Sequence, residues 1–300
     1  MLAMSPRLWD SRQPRRIFRI TRTKGGCFMY SPCLKFLGGF LLLISAAVGV
    51  NAQNRELRVC ADPNNMPFSA RDQAGFENRI AALVAQDLSA RLTFVWQRMG
   101  RGFVREYLDK AQCDLVVGIP MNYRPLLTTR PYYRSTYVFV SRRGNPVIPS
   151  LESPALHGLK IGVQVLDEEY TPPGEALARR GLQGEIVGFD TISDGAESIV
   201  QAVADRKVDL AIVWGPLAGY FARKVGHDLR VTPVEPEVDP PGLPFTFAIS
   251  MGVRKGNLAL RDQLEKILLD RGSDIRNILD EYGVPQLPIA SLAKSQGGAR

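Results

Sequence analysis

The spacing of apolar residues along residues 57–141 changes repeatedly between the strand pattern and the helix pattern. Residues 57–61, 92–97 and 115–117 are short apolar runs with β-branched side chains, which are typical of buried strands. Between them, the segment that opens at Gly75 and residues 103–110 carry apolar side chains at helical spacing. This alternation predicts right-handed parallel crossovers and an α/β lobe.

A second lobe with the same alternation is predicted for residues 147–234. Its strands are expected at 160–164, 186–188, 210–214 and 229–232, and its helices at 174–180, 196–206 and 215–225. A further strand at 245–253 and helices at 258–269 and 274–282 follow.

We expect the last part of the chain, 245–289, to pack on residues 53–141 and complete the first lobe. The chain then crosses twice between the lobes, through connectors at 142–146 and 235–244, and the cleft between the lobes closes by hinge motion. The first connector is basic and the second acidic, so their charges either pair across the hinge or stay solvated. Residues 290–300 are small and polar and are predicted to be a disordered tail.

The stretch 114–141 is expected to contribute most to a ligand site. Its apolar run at 115–117 predicts a buried strand, and the alternating segment 137–141 predicts a second one. The residues between are rich in Asn, Thr, Arg and Tyr, and loops at the carboxyl ends of strands hold ligands in open α/β sheets. The alternative is an ordinary surface loop.

The net charge of +8 is concentrated at the amino terminus. Residues 1–52 hold eight Lys or Arg and one acid, and the rest of the chain holds 30 basic and 29 acidic side chains. The remaining charge of +1 gives no argument for nucleic acid or an anionic membrane as partner.

Residues 36–50 form an uninterrupted run of 15 apolar and small residues. A transmembrane helix needs about 20, whereas Lys35 before the run and Ala52 after it match a secretory signal. We expect residues 1–52 to be a signal peptide and the mature protein to be periplasmic and free of the membrane. A start at Met29, which gives a signal of 24 residues, is an alternative to the start at Met1. The alternative is an uncleaved anchor.

Two cysteines, Cys60 and Cys113, remain in the mature chain. In an oxidising compartment an even pair favours a disulfide. Two buried thiols are the alternative, because parallel neighbouring strands could hold these residues beyond the roughly 7 Å that a bridge can span.

The order and spacing of several short motifs over about residues 55–289 resemble the periplasmic solute-binding proteins of the amino-acid-receptor type. The motifs are Asp62 with Pro67-Phe68, Gly75-Phe76, residues 113–118, Pro131-Tyr132-Tyr133 and residues 208–213. The resemblance implies a type II periplasmic binding protein fold, an α/β fold of two lobes.

A narrower resemblance covers residues 59–69, 75–78, 101–103 and 128–140. These segments are similar to the binding-protein-like accessory proteins encoded beside quinoprotein alcohol dehydrogenases, the MxaJ and XoxJ group. This resemblance implies a periplasmic partner of a dehydrogenase that uses pyrroloquinoline quinone (PQQ) for methanol or alcohol oxidation. A solute receptor of an uptake system is the alternative.

The amino-acid receptors hold the ligand carboxylate with an Arg after the third strand and the ammonium with an acid after the last strand of the second lobe. Arg124 matches the first position, and Trp214 stands at the second. An unpaired ammonium in a closed cleft is costly, so a free α-amino acid is a poor ligand for such a site.

Candidate cleft residues follow the predicted strands and carry aromatic or polar side chains. They are Asp62, Asn64, Asn65, Phe68, Arg101, Asn122, Tyr123, Arg124, Tyr132, Gln164, Trp214 and Tyr220. They suit a small organic ligand or a protein partner. Asp62 has a turn-capping role as its alternative, and Trp214 a place in the core.

Catalysis has no support in the sequence. The two histidines, His157 and His227, are expected to be exposed, and no nucleophile, base and acid form a triad pattern. No metal-ligand spacing or phosphate loop is present, so neither a metal nor a cofactor is expected.

Overall fold

The computed structural model describes residues 55–98, 100, 102–166, 169–191, 195, 197–226 and 228–289. The predicted signal segment, Arg101, His227 and the polar tail lie outside these residues. Within the part that is described, no helix is both long and apolar enough to cross a membrane.

Strands and helices alternate through most of the described residues, as the sequence predicted. The strands are β1 (Glu56–Ala61), β2 (Asn64–Asn65), β3 (Ser69–Ala70), β4 (Arg91–Trp96), β5 (Leu115–Pro120), β6 (Leu127–Arg142), β7 (Ile161–Leu166), β8 (Glu169–Tyr170), β9 (Ile186–Asp190), β10 (Leu210–Trp214), β11 (Leu229–Pro233), β12 (Val238–Asp239), β13 (Leu243–Pro244) and β14 (Thr246–Val253). The α-helices are α1 (Phe76–Asp87), α2 (Pro172–Arg179), α3 (Ser198–Ala204), α4 (Gly215–Lys224), α5 (Leu258–Asp270) and α6 (Gly272–Glu281). The helix expected at 103–110 is a π-helical turn, Val104–Leu108.

Most strands belong to one mixed sheet with the order β4-β1-β5-β14-β6-β10-β7-β8, in which β11 lies beside β6 and β9 beside β7. The pairs β1–β4, β1–β5, β7–β9 and β7–β10 are parallel, as crossover connections require. Below, the first group of strands is β1, β4, β5 and β14, and the second group is β7, β9, β10 and β11. Strand β14 is antiparallel to both β5 and β6, so the end of the chain does return to the first group.

The sequence predicted a loop between two short strands at 115–117 and 137–141. The second half of this prediction is wrong. Residues Leu127–Arg142 form one continuous strand, β6, and only 121–126 connect it to β5. Polar residues in β6 suggested a loop, but buried Ser135 donates to the Pro285 carbonyl at 2.6 Å and buried Thr136 to the Phe245 carbonyl at 3.1 Å. Distant parts of the chain therefore satisfy side chains that looked solvent-facing.

Strand β6 is shared by both groups of strands. From Leu127 to Thr136 it pairs with β14, and from Tyr137 onward it pairs with β10 on one side and β11 on the other. The change of partner falls within the strand, before the expected connector at 142–146. The lobe boundaries and hinge motion remain predictions.

The predicted disulfide is confirmed. Cys60 in β1 is bonded to Cys113, which immediately precedes Asp114 and β5, and their Cα atoms are 5.6 Å apart. Both cysteines are buried in a small cluster with Phe103 and Leu108. The register of β1 against β5 brings the cysteines within bridging distance, so the alternative of two thiols is excluded.

The two connectors do not pair with each other in the ion pairs observed. Arg142 and Arg143 bind Asp209 and Asp228 of the second group of strands. In the acidic connector, fully buried Asp239 lies between Arg179 at 2.6 Å and Arg180 at 2.5 Å. The acidic connector is therefore anchored to the end of α2.

Candidate functional site

The residues after β1 form a compact turn. The Asp62 carboxylate accepts a hydrogen bond from the Asn64 backbone N–H at 3.0 Å, and its carbonyl accepts one from Ser69 Oγ at 2.9 Å. Asn64 and Asn65 pair with Ser69 and Ala70 in a two-residue ladder. The turn-capping role of Asp62 is therefore observed. Asn64 is exposed at the surface.

Phe68 lies in the core. Its exposed fraction is 1%, and its ring centroid is 5.2 Å from that of Phe76 at the start of α1. Phe76 in turn contacts Tyr133 edge-on at 6.3 Å and Tyr282 at 5.8 Å. Phe68 thus packs in the core beside the aromatic side chains of Phe76, Tyr133 and Tyr282.

The short loop after β5 carries three candidate residues. Asn122 has a left-handed backbone with φ of 62°, and its N–H donates to Thr128 Oγ1 at 3.3 Å. Tyr123 is half-buried, and this burial raises its pKa to about 12. Arg124 is exposed. The loop therefore presents a cationic and an aromatic group at the surface.

Tyr132 and Tyr133 are consecutive residues that pack on the same side of the sheet. In a regular strand they would point to opposite faces. Here Ile249 of β14 pairs with Tyr133 while the next residue, Ser250, pairs with Pro131, so Tyr132 is the extra residue of a β-bulge. Both tyrosines join one core cluster, with ring centroids 5.0 Å apart.

The hydroxyls of these two tyrosines are buried without a hydrogen-bond partner among the described residues. The residues are 9% and 1% exposed, respectively. Burial raises the pKa of Tyr132 well above its usual range, with further contributions from Tyr133 and from the Glu77 carboxylate. Burial and Glu77 have the same effect on the pKa of Tyr133.

Glu77 is a partly buried acid that sequence reasoning did not single out. Burial raises the pKa of its carboxyl group to about 7. The carboxyl lies directly over Gly118 of β5, where a Cβ atom would collide with Oε1. The motif Gly75-Phe76-Glu77-Asn78 indicated only a helix start, because nothing in the local pattern pairs Glu77 with a glycine far along the chain.

The strand ends of the second group are closed by internal hydrogen bonds. Buried Gln164 of β7 accepts from the Trp214 backbone N–H at 2.7 Å and donates to Thr191 Oγ1 at 3.4 Å. The Trp214 ring is 2% exposed and packs edge-on against Tyr137 at 5.4 Å and Phe247 at 5.7 Å. The core position that the sequence left open for Trp214 is the one observed.

Tyr220 on α4 stacks on Tyr282, with ring centroids 5.8 Å apart. The Tyr282 hydroxyl donates to the Ala74 carbonyl, just before α1. Tyr220 is thereby linked to the carboxyl-terminal segment and, through it, to the first group of strands.

In the structure the candidate residues lie in separate sets. Their common role as a ligand or partner cleft remains a proposal. Gln164 bonds the Trp214 backbone, and Tyr132 packs against Tyr133, whereas Arg101 lies outside the described residues. His157 is exposed, as expected. Within the described ranges, no group of three or more His, Cys, Asp or Glu could hold a metal ion.

Residues 57–284 match the family model described as bacterial extracellular solute-binding proteins, family 3. Protein MoxJ of Methylorubrum extorquens is 33% identical over 255 residues, which cover 78% of this chain and 83% of the relative.

Two solved structures agree with this match. Periplasmic binding protein XoxJ from Methylobacterium extorquens AM1 is 37% identical with a TM-score of 0.64, covering 78% of this chain and 100% of its own. MxaJ from Methlophaga aminisulfidivorans MPT is 26% identical with a TM-score of 0.66, covering 77% and 100%. The expected resemblance and α/β binding-protein fold are thus confirmed, and the chain belongs to the bacterial extracellular solute-binding proteins of family 3, among relatives of the MxaJ and XoxJ type.

Proposed function

We propose that this chain is a non-catalytic periplasmic accessory protein of a PQQ-dependent methanol or alcohol dehydrogenase. The observation that carries the proposal is its similarity to MoxJ and XoxJ over most of its length, at 33% and 37% identity. Membership in an extracellular solute-binding family supports the periplasmic location. The partner is the dehydrogenase itself, which the protein binds or helps to activate.

The second group of strands supports a departure from amino-acid receptors. Where those receptors have an acid, this chain has Trp214, whose ring is buried against Tyr137 and Phe247. Gln164 is occupied by the Trp214 amide and Thr191. This arrangement gives a cleft ligand no acidic group at that position, and it favours a structural role for both side chains.

We assign the docking surface to exposed candidate residues in the first part of the chain. Asn64, Asn122 and Arg124 are exposed. Tyr123, which lies between Asn122 and Arg124 in the sequence, is half-buried. Arginine and tyrosine are enriched among the residues that dominate protein interfaces. The buried candidates Phe68 and Tyr132 act behind this surface.

The test is affinity capture of the tagged protein from the periplasm of cells grown on an alcohol, with the bound fraction analysed for proteins and small molecules. The proposal expects a PQQ-dependent dehydrogenase to be recovered. R124A should reduce that recovery several-fold, and R206A, at an exposed position before β10, should leave it unchanged. Equal recovery with both variants would move the docking surface elsewhere.

A solute receptor for an uptake system is the second candidate function. It is favoured by one observation, the buried hydroxyls of Tyr132 and Tyr133, which have no hydrogen-bond partner among the described residues. Under this alternative the captured protein carries a stoichiometric small molecule and no dehydrogenase.

A further inference from the structure

We propose that a cavity beside α4 binds a small monocarboxylate with an apolar body, such as an alkanoate. The cavity lies between α4, β11 and residues 283–285, and its volume is about 610 Å³. It is called the α4 cavity below. None of the described residues that line it is among the candidates for the ligand or partner cleft, so the proposal does not depend on the dehydrogenase.

One wall of the α4 cavity is apolar. Leu229, Val231 and Pro233 line it, and they alternate along β11, which places their side chains on one face of that strand. Val138 of the adjacent strand β6 adds a buried aliphatic side chain. Sites for small organic molecules have volumes of about 300 to 1,000 Å³ and walls of this kind, with a few polar groups placed among them.

The charged groups that line the cavity are both arginines. Arg223 lies in the last turn of α4, and Arg143 directly follows β6. No acidic side chain lines the cavity among the residues that the structure describes. The charge of the cavity therefore favours an anion.

Arg223 retains hydrogen-bond donors for a ligand. Its Nη1 donates to the carbonyl of Asp280 at 3.0 Å and to that of Glu281 at 3.5 Å, and it has no acidic partner in the described part of the chain. A guanidinium group has five N–H donors in a planar fork that matches the two oxygens of a carboxylate. Because Nη1 serves the end of α6, the donors on Nε and Nη2 remain for a bound carboxylate.

Arg143 supplies a second positive charge. It forms an ion pair with Asp228 through Nε, and both side chains are exposed. Exposed ion pairs are weak, and one carboxylate cannot use all five donors of a guanidinium group. Arg143 therefore strengthens the attraction of the cavity for an anion, whereas Arg223 is the group that we expect to hold the carboxylate.

Glycines fix the shape of the cavity. A Cβ atom at Gly219 of α4 would collide with the Gly283 carbonyl oxygen, so the helix and residues 283–285 approach backbone to backbone. A Cβ atom at Gly283 would lie 2.8 Å from Nε of Arg223, and the absence of that atom leaves room for the guanidinium group. Arg223 is thereby positioned before a ligand arrives, which lowers the entropy lost on binding.

The ligand needs both a carboxylate and an apolar body. An inorganic anion would pair with the arginines and leave the apolar wall in contact with water, and a neutral apolar molecule would leave Arg223 without a counter-charge. A carboxylate that carries a chain of a few carbons satisfies both parts of the cavity.

The test is calorimetric titration of the protein, produced with its own leader and purified from the periplasm, with sodium hexanoate. Sodium acetate has the same charged group without the chain, and 1-hexanol has the chain without the charge. We expect saturable binding of hexanoate, and binding of acetate and hexanol that is weaker by about tenfold or more.

Substitutions connect the binding to the α4 cavity. R223Q should weaken hexanoate binding by about tenfold or more, and R143Q by several-fold. A222L should also weaken it, because the larger side chain on α4 fills part of the cavity. The matched controls are R206Q and A259L, at exposed positions outside the cavity, and both should bind as the wild type does.

Three results would overturn the proposal. They are the absence of saturable heat up to about 50 mM hexanoate, binding of hexanol as tight as that of hexanoate, and unchanged hexanoate binding by R223Q and A222L in folded protein. The third result would mean that Arg223 only caps α6 and that hexanoate binds elsewhere. If R223Q does not fold, A222L decides alone. Because the titration uses no dehydrogenase, its outcome is independent of the capture experiment.

Discussion

The two groups of strands differ in how far they satisfy their buried polar side chains. In the second group, Gln164 bonds the Trp214 amide and Thr191, and Tyr137 has Thr171 as a hydrogen-bond partner. In the first group, the hydroxyls of Tyr132 and Tyr133 have no partner among the described residues.

A buried polar group without a partner is unfavourable by about 1 to 3 kcal/mol. The second group of strands satisfies the Gln164 amide and the Trp214 backbone N–H internally, and the Trp214 indole N–H has no partner among the described residues. The two phenols of the first group are in the same position as that indole. The Gln164 amide therefore has a structural role that the two phenols lack.

The largest effect is expected when the disulfide of the first group of strands is removed. Replacing Cys60 and Cys113 with Ser removes a cross-link that closes a loop of 53 residues in sequence separation. On the loop-closure account the free energy of unfolding should fall by about 4 kcal/mol. Urea unfolding of the periplasmic protein measures it, with reduced wild type as the control. A loss below about 1 kcal/mol would mean that packing alone holds β1 against β5.

Gln164→Met tests whether the second group depends on its internal hydrogen bonds. The substitution keeps volume but leaves the buried Trp214 N–H without its acceptor, and should lower the free energy of unfolding by about 2 to 3 kcal/mol. Gln183→Met is the matched control, since Gln183 is exposed and its change should stay within about 0.5 kcal/mol. Equal effects of the two variants would contradict the structural role of Gln164.

Glu77 should make the stability of the first group depend on pH. Its folded pKa of about 7 lies above the usual value of 4.5, so the folded state binds the proton more tightly than the unfolded state. Stability contributed by this group is full below pH 4.5 and is lost as the pH rises through about 7. The wild type should lose about 3 kcal/mol over this window relative to E77Q. Parallel pH profiles from urea unfolding would show that Glu77 is not buried as described.

Tyr133→Phe should have the smallest effect on the free energy of unfolding. It should raise this free energy, whereas Gln164→Met should lower it. Removing a buried hydroxyl that has no partner among the described residues should raise the free energy of unfolding by about 1 kcal/mol when no ligand is present. Thermal unfolding of the variant and the wild type measures it. A clear destabilisation in the absence of ligand would mean that the hydroxyl is already satisfied.

Local pattern predicted the elements because each depends on neighbouring residues. The strand at 210–214 and the helix that begins at Gly215 were placed correctly from apolar spacing alone. The disulfide also followed from the sequence. Strand β6 was misread, since its polar residues Ser135 and Thr136 find partners at Pro285 and Phe245, far along the chain.

The bulge at Tyr132 and the irregular segment at Gly118 could not be read from the sequence for a related reason. Both depend on the register of β14 against its two neighbours. Sequence spacing within one strand cannot specify that register. Tyr132 was singled out as a loop residue and proves to be a strand residue turned by a bulge.

The most direct test of the accessory role is the activity of the PQQ-dependent methanol dehydrogenase in periplasm from a strain that lacks this gene. The account predicts that dehydrogenase activity falls strongly and returns when the wild-type gene is restored. Full activity in the deletion strain, with uptake of a solute lost instead, would contradict the accessory role and identify the protein as a transport receptor.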